Sequence, residues 1–291
     1  MARTRRTGHR PPRARDGAAP REPVRFWAVS VALVVLMIAA VWTLGGGSAS
    51  QAAQTEVGTP PAVRTLRVDV VRTLPHDQDA YTQGLVWWNN QLFESAGRRD
   101  QSSLRRLDLR TGEVQQRQEV APEYWAEGLA LVDDRLFQIT YTLERALTYD
   151  RDSFTPGETF RYDGAGWGLC YDGTRLVMSD GTDRLTFRDP TTFEAIGHQT
   201  VRLRGQPLRN LNELECVDGA VYANVHTRNF LVRIDPATGR VTDYIDASGL
   251  LSDEARRGTD YLNGMAYDPT AGTFYLTGKL WPTMFEARFI E

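Results

Sequence analysis

The sequence predicts an all-β fold: a five-bladed β-propeller, its ring closed by an N-terminal strand and preceded by one transmembrane helix. Three observations carry this. Five segments of the chain align with one another at spacings of 44, 40, 45 and 51 residues. Each unit reads as four short strands separated by turn residues, the pattern of a propeller blade. The last unit stops one strand early, and a spare alternating strand lies ahead of the first.

The first part of the chain is set apart by charge. Residues 1–25 hold eight Arg and two acids, while the rest holds 26 basic and 35 acidic residues. Residues 26–44 then run for nineteen positions without a charge. That is long enough to cross a bilayer as a helix, and the Arg-rich segment before it should stay cytoplasmic. The reading is therefore a tail (1–25), a signal-anchor helix (26–44), a Gly/Ser/Ala/Pro-rich tether (45–63) and an exported domain (64–291). The domain is membrane-anchored outside the cytoplasm, or secreted if the small-residue stretch after Leu44 is cleaved. Its acidic balance argues against nucleic acid as a partner, because phosphate binding needs a basic face.

The five repeats begin at Gln83, Glu127, Trp167, Asn212 and Asn263. Each starting residue is followed by Gly, or by Glu213 in the fourth, and then by Leu or Met. A turn separates the first strand from the second: Asn89-Asn90, Asp133-Asp134, Asp172-Gly173, Asp218-Gly219 and Asp268-Pro269. Third-strand segments such as residues 231–241 carry Asp-Pro-Ala-Thr-Gly or similar tips, where Asp bonds its own backbone and Gly takes positive φ. Residues 284–290 end the fifth unit early, and residues 66–74 supply its missing strand. Cys170 and Cys216 both fall in apolar strand-like runs. They can be two buried thiols or a disulfide; sequence alone leaves this open.

In a propeller the first strands line the axis, so the repeat-start residues converge. They either solvate a channel or form a ring of hydrogen-bonding groups, with one indole, around a small polar ligand. Second-strand positions add Glu94, Ser179, Asp180, Asn224 and Lys279. Loop aromatics add Tyr81, Trp125, Tyr141 and Trp281. Lys279 is the single lysine among 34 basic residues. No metal-ligand spacing, nucleophile elbow or phosphate loop is present. Any chemistry here belongs to carboxylates and hydrogen-bond donors, with no metal or cofactor.

The runs PHDQDAYTQGL (75–85), ESAG (94–97), EGLAL (127–131), GWGLCYDG (166–173), LNELECVDGAVYAN (211–224), LNGMAYD (262–268) and TGKLWP (277–282) resemble the glutaminyl cyclases of plant and bacterial type. The resemblance runs from about Leu74 to the C-terminus, in order. It implies a metal-independent transferase that converts N-terminal glutamine of a peptide or protein to pyroglutamate and releases ammonia. It further implies Glu94 as the amine-binding proton shuttle, with Gln83, Asn212 and Lys279 holding the amide and its developing oxyanion. Tyr81, Trp125, Trp167 and Trp281 wall the pocket, and Glu127, Glu213 and Asn263 are further substrate-binding candidates. Where the family has Trp, this chain has Tyr141 and His226. A monomer is expected. A non-catalytic propeller that binds peptide ends, and a calcium-dependent hydrolase, remain the competing readings.

Overall fold

The computed structural model describes residues 62–291. The tail, the anchor helix and nearly all of the tether lie outside the described residues. Among the described residues no helix is long and apolar enough to cross a membrane.

The described chain is all β, and its strands pair in five four-stranded antiparallel groups. The first is β2 (Thr82–Trp88), β3 (Gln91–Ala96), β4 (Ser103–Leu107) and β5 (Val114–Glu119). The second is β6 (Ala126–Val132), β7 (Arg135–Thr140), β8 (Arg145–Asp150) and β9 (Pro156–Arg161). The third is β10 (Leu169–Tyr171), β11 (Leu176–Ser179), β12 (Arg184–Arg188) and β13 (Ala195–Thr200). A small hairpin, β14 (Arg202–Leu203) and β15 (Gln206–Pro207), follows; the repeats gave no sign of it. The fourth is β16 (Leu211–Val217), β17 (Ala220–Val225), β18 (Phe230–Asp235) and β19 (Arg240–Asp246).

The fifth group joins the two ends of the domain. β20 (Leu262–Asp268), β21 (Thr273–Gly278) and β22 (Thr283–Ile290) are completed by β1 (Arg64–Pro75), which runs antiparallel to β22. β1 also pairs in parallel with β19, so the fourth and fifth groups share one sheet.

The first strands touch in cyclic order: β2 with β6, β6 with β10, β10 with β16, β16 with β20, and β20 with β2. The Gly of the first three repeats permits this approach. A Cβ at Gly84 would stand 2.6 Å from Leu129 N, one at Gly128 2.5 Å from Leu169 N, and one at Gly168 2.0 Å from Asn212 O. No side chain fits between strands so close.

Five apolar clusters fill the wedges between successive groups. Phe93 and Leu104 meet Leu129 and Leu136; Phe137 and Ile139 meet Leu169 and Leu176; Val177 and Leu185 meet Leu214 and Val221. Leu231 and Ile245 meet Met265 and Leu276, and the fifth cluster sets Leu85 and Leu92 against Tyr275 and Met284. Each strand thus buries one face against its neighbour, while the fourth strands β5, β9 and β13 stay largely exposed.

The hairpin turns obey their residues. Asn89 and Asn90 take φ of 47° and 62°, and Asp218 and Gly219 take 48° and 74°, the left-handed pair that matches strand twist. Cys170 and Cys216 are joined as a disulfide, tying β10 to β16. Closing a loop of 46 residues constrains the unfolded chain by about 4 kcal/mol in the chain-entropy account. Replacing both cysteines with Ala should therefore lower unfolding stability by about 2–4 kcal/mol, read from the denaturant midpoint; an unchanged midpoint contradicts this.

Candidate active site

The residue before each Gly lies at one end of a first strand, so strand convergence brings distant residues together. A cavity of about 190 Å³ opens there, lined by Tyr81, Gln83, Trp125, Glu127, Tyr141, Trp167, Asn212, His226 and Lys279. A larger hollow of about 520 Å³ lies along β12 and β13, but none of its lining residues comes from a first strand.

The wall of the 190 Å³ cavity is a chain of rings. Trp125 and Tyr141 lie 6.0 Å apart between centroids, Tyr141 and Trp167 6.5 Å, Trp167 and His226 5.3 Å, and His226 and Tyr261 5.1 Å. Edge-on and tilted contacts of this kind fix ring orientation. Trp125 Nε1 is buried without a partner in the protein, and so is Asn212 Oδ1. A buried unpaired polar atom costs about 1–3 kcal/mol, which a ligand can relieve.

Two charges face the cavity. Glu127 is buried and accepts a hydrogen bond from Gln83 Nε2 at 2.8 Å. Burial holds its carboxyl well above the ordinary range, against the opposing pull of Lys279. Lys279 is 4% exposed, and its Nζ sits 4.8 Å from the centroid of the Tyr81 ring. Burial pulls its pKa down, against Glu127 and Asp260. Among the described residues its Nζ makes no hydrogen bond, so this cation is available to a ligand. Tyr81 is held by its hydroxyl, which donates to Asp260 Oδ2 at 3.0 Å. Burial, and then the Asp260 bond, push the phenol up.

Seven of the sequence-derived candidates therefore share the cavity: Gln83, Asn212, Lys279, Tyr81, Trp125, Glu127 and Trp167. Four do not line it. Glu94 is fully buried on β3, where it accepts from Thr82 Oγ1 at 2.7 Å and His76 Nε2 at 3.0 Å. Glu213 points between first strands and accepts from Leu85 N at 3.4 Å. Its carboxyl is pushed well up by burial and then by Glu215, and burial raises Glu215 in turn to about 8. Asn263 donates to Thr82 O at 3.0 Å and to Gln83 Oε1 at 3.5 Å, steadying Gln83 from behind. Trp281 turns inward, donating from its indole to Asp260 O at 3.0 Å.

Tyr141 and His226 complete the lining, although the resemblance gave neither a role in the site. Both were visible as aromatic departures from the resembled family. Asn212 Nδ2 lies 3.4 Å from His226 Nδ1. Burial, with the Lys279 charge, lowers the imidazole pKa, so His226 is neutral at neutral pH.

The chain is similar to known proteins over most of its length. The sequence profile described as glutamine cyclotransferase matches residues 38–289. A glutaminyl-peptide cyclotransferase of Arabidopsis thaliana is 39% identical over 230 residues, covering 77% of this chain and 72% of that protein. The crystal structure of Myxococcus xanthus glutaminyl cyclase superimposes with a TM-score of 0.71 at 39% identity, covering 78% of this chain and 98% of that one.

Glu127 and Lys279 should be electrostatically linked across the cavity. Lys279→Met should raise the Glu127 titration midpoint further, because the charge that opposes burial is lost. Carbon-13 NMR of the Glu127 carboxyl reads this directly, and an unmoved midpoint contradicts the pairing.

Proposed function

We propose, from the premise that this chain belongs to the glutamine cyclotransferase family, that the nine-residue cavity is where it carries out its reaction. The chain is a glutaminyl-peptide cyclotransferase. Its substrates are peptides or proteins that begin with glutamine. The five strand groups, with first strands in cyclic contact, are read as the five blades of a propeller.

The reaction has three demands. The α-amine must lose a proton before it attacks the side-chain amide carbon of the same residue. The amide oxygen must be stabilised as it becomes an oxyanion. The leaving nitrogen must gain a proton to depart as ammonia. Glu127 suits the first and third. Its carboxylate is acceptor-only when ionised and binds an ammonium, and its raised pKa lets it take that proton and return it. The new bond joins the amine nitrogen to the amide carbon and the old carbon–nitrogen bond breaks; of the two protons the ammonium nitrogen gives up on becoming the ring amide, one passes through Glu127 to the leaving nitrogen, which departs as ammonia, and the other goes to solvent.

Lys279, a buried ammonium with no hydrogen bond among the described residues, suits the oxyanion. Trp125 Nε1 supplies a further donor and Asn212 Oδ1 an acceptor for the amide hydrogens. Gln83 holds the Glu127 carboxylate in place. The ring wall excludes water and keeps the side chain folded for closure, which makes an intramolecular attack effective. The single observation that carries this assignment is the placement of Glu127 on the cavity wall, with Lys279 beside it and Glu94 elsewhere. The proposed chemistry uses no metal.

Activity needs Glu127 ionised and Lys279 protonated. Glu127 is raised, so activity falls as pH drops through a value above the ordinary carboxylate range. Lys279 is lowered, so activity falls again as pH rises through a value below the ordinary lysine range. The profile should be a bell narrowed from both sides.

The export reading also rests on this domain. The disulfide suits an oxidising compartment, and we propose that residues 26–44 anchor the domain at a membrane, outside the cytoplasm, as a monomer. Retention of the full chain in the membrane fraction after alkaline extraction supports the anchor; release into the soluble fraction contradicts it.

The enzymatic reading is tested by one assay. The full chain, incubated with a Gln-initiated peptide, should release ammonia and form the pyroglutamyl product, equally well with a chelator present. Glu127→Gln should lower kcat by about 10²–10⁴. Absence of turnover by the wild type sinks the reading, and abolition by the chelator sinks the metal-free mechanism.

A further inference from the structure

The buried cluster around Glu94 is unused by the reaction. His76 precedes β2, and its side chain is 1% exposed. Its Nδ1 lies 2.8 Å from Trp281 O, and its Nε2 lies 3.0 Å from Glu94 Oε1. A peptide carbonyl and a carboxylate both only accept hydrogen bonds. Each ring nitrogen must therefore carry a hydrogen, which makes the ring an imidazolium. Its charge is matched locally. Thr82 Oγ1 donates to Glu94 Oε1 at 2.7 Å; Arg105 lies 3.7 Å from Glu94 Oε2 and 2.8 Å from Asp77 Oδ2.

The other side of His76 faces the turn that carries Lys279. Trp281 O takes its Nδ1 hydrogen, Thr277 Oγ1 stands 3.4 Å from the same nitrogen, and His76 N donates to Pro282 O at 3.0 Å. Leu280, with φ of 60°, donates its N–H to Ala80 O at 2.8 Å. The segment 76–80 thus clasps the segment 277–282 on both flanks of Lys279.

We infer that His76, held doubly protonated by Glu94, is a positioning residue that fixes the Thr277–Pro282 turn and so aims Lys279 Nζ into the cavity. Glu94 acts through His76 and touches no substrate. The inference rests on the proposed role of Lys279. Burial opposes the charge on His76, but Glu94, by charge and then by hydrogen bond, outweighs it and raises the His76 pKa. Burial likewise opposes the Glu94 charge, and His76, Arg105 and Thr82 outweigh it, so its pKa is lowered. The charged groups facing His76 are Glu94 from β3, Asp77 from its own segment and, behind Glu94, Arg105 from β4.

The test uses full-length variants and a Gln-initiated peptide. In Glu94→Gln, the new amide can donate to a neutral His76 Nε2 and to Thr82 Oγ1 while its oxygen faces Arg105, so the clasp survives without charge. Turnover should stay within about threefold of wild type, while nitrogen-15 NMR shows His76 changing from two ring N–H groups to one. Glu94→Ala should lower kcat/KM about 30-fold, yet cost less than about threefold in a Lys279→Ala background, because the two residues act as one unit. The inference is overturned if Glu94→Gln is as inactive as Glu127→Gln, if the Glu94 and Lys279 losses multiply, or if wild-type His76 carries one ring N–H. If Glu94→Ala does not fold, Glu94→Gln and the NMR signature still decide. Failure of the enzymatic reading looks different: the wild type itself turns nothing over.

Discussion

Closure of the strand cycle by β1 is the constraint on which the rest depends. β1 lies between β22 and β19, so the start of the domain is locked to its end. Tyr81 and Gln83 come from just after that strand, and Lys279 comes from just before β22. Without closure, the Lys279 cation has no Tyr81 ring beneath it and the cavity loses one side. Asp243 on β19 reports the same dependence. It is wholly buried, and its charge is met by Arg64 from β1 as well as by Arg233 and Thr242. A buried carboxylate stripped of such partners is strongly unfavourable, so the closing strand is fixed by charge as well as by its ladder.

Close approach of the first strands sets the second condition. Gly84, Gly128 and Gly168 let the strands meet nearly backbone to backbone, which forces the residues just before them into one small volume. Two of those residues, Gln83 and Glu127, carry polar groups at the cavity. Their desolvation is unfavourable for folding and useful for chemistry. Burial raises the carboxylate and lowers the ammonium, so the two titration ranges are drawn toward each other. The cavity stores this imbalance between Glu127 and Lys279, and a substrate bearing an ammonium and an amide oxygen complements both.

The repeat pattern made much of this legible. Strand groups, turn positions and the closing role of residues 66–74 could be read from the alternation of apolar residues and from Asn-Asn, Asp-Gly and Asp-Pro turns. Convergence of Gln83, Glu127, Trp167 and Asn212 followed from their equivalent positions. Depth was harder to read. Glu94 and Lys279 both belong to second strands or their ends, yet Lys279 reaches the cavity and Glu94 lies behind it. One-dimensional alternation does not say which face of a second strand looks toward the axis when its first strand bulges, as β2 does between Thr82 and Gly84. His76 was unremarkable in sequence because its partners, Glu94 and Trp281, lie 18 and 205 residues away. The pairing of Cys170 with Cys216 needed the same adjacency of β10 and β16.

The account turns on which carboxylate meets the substrate amine. The direct measurement is a crystal structure of Glu127→Gln with a Gln-initiated peptide bound and turnover suppressed. The α-amine nitrogen should lie about 3 Å from the side chain at position 127, with the side-chain amide oxygen within similar reach of Lys279 Nζ. An amine seated on Glu94, or a peptide bound away from the nine-residue cavity, contradicts the account.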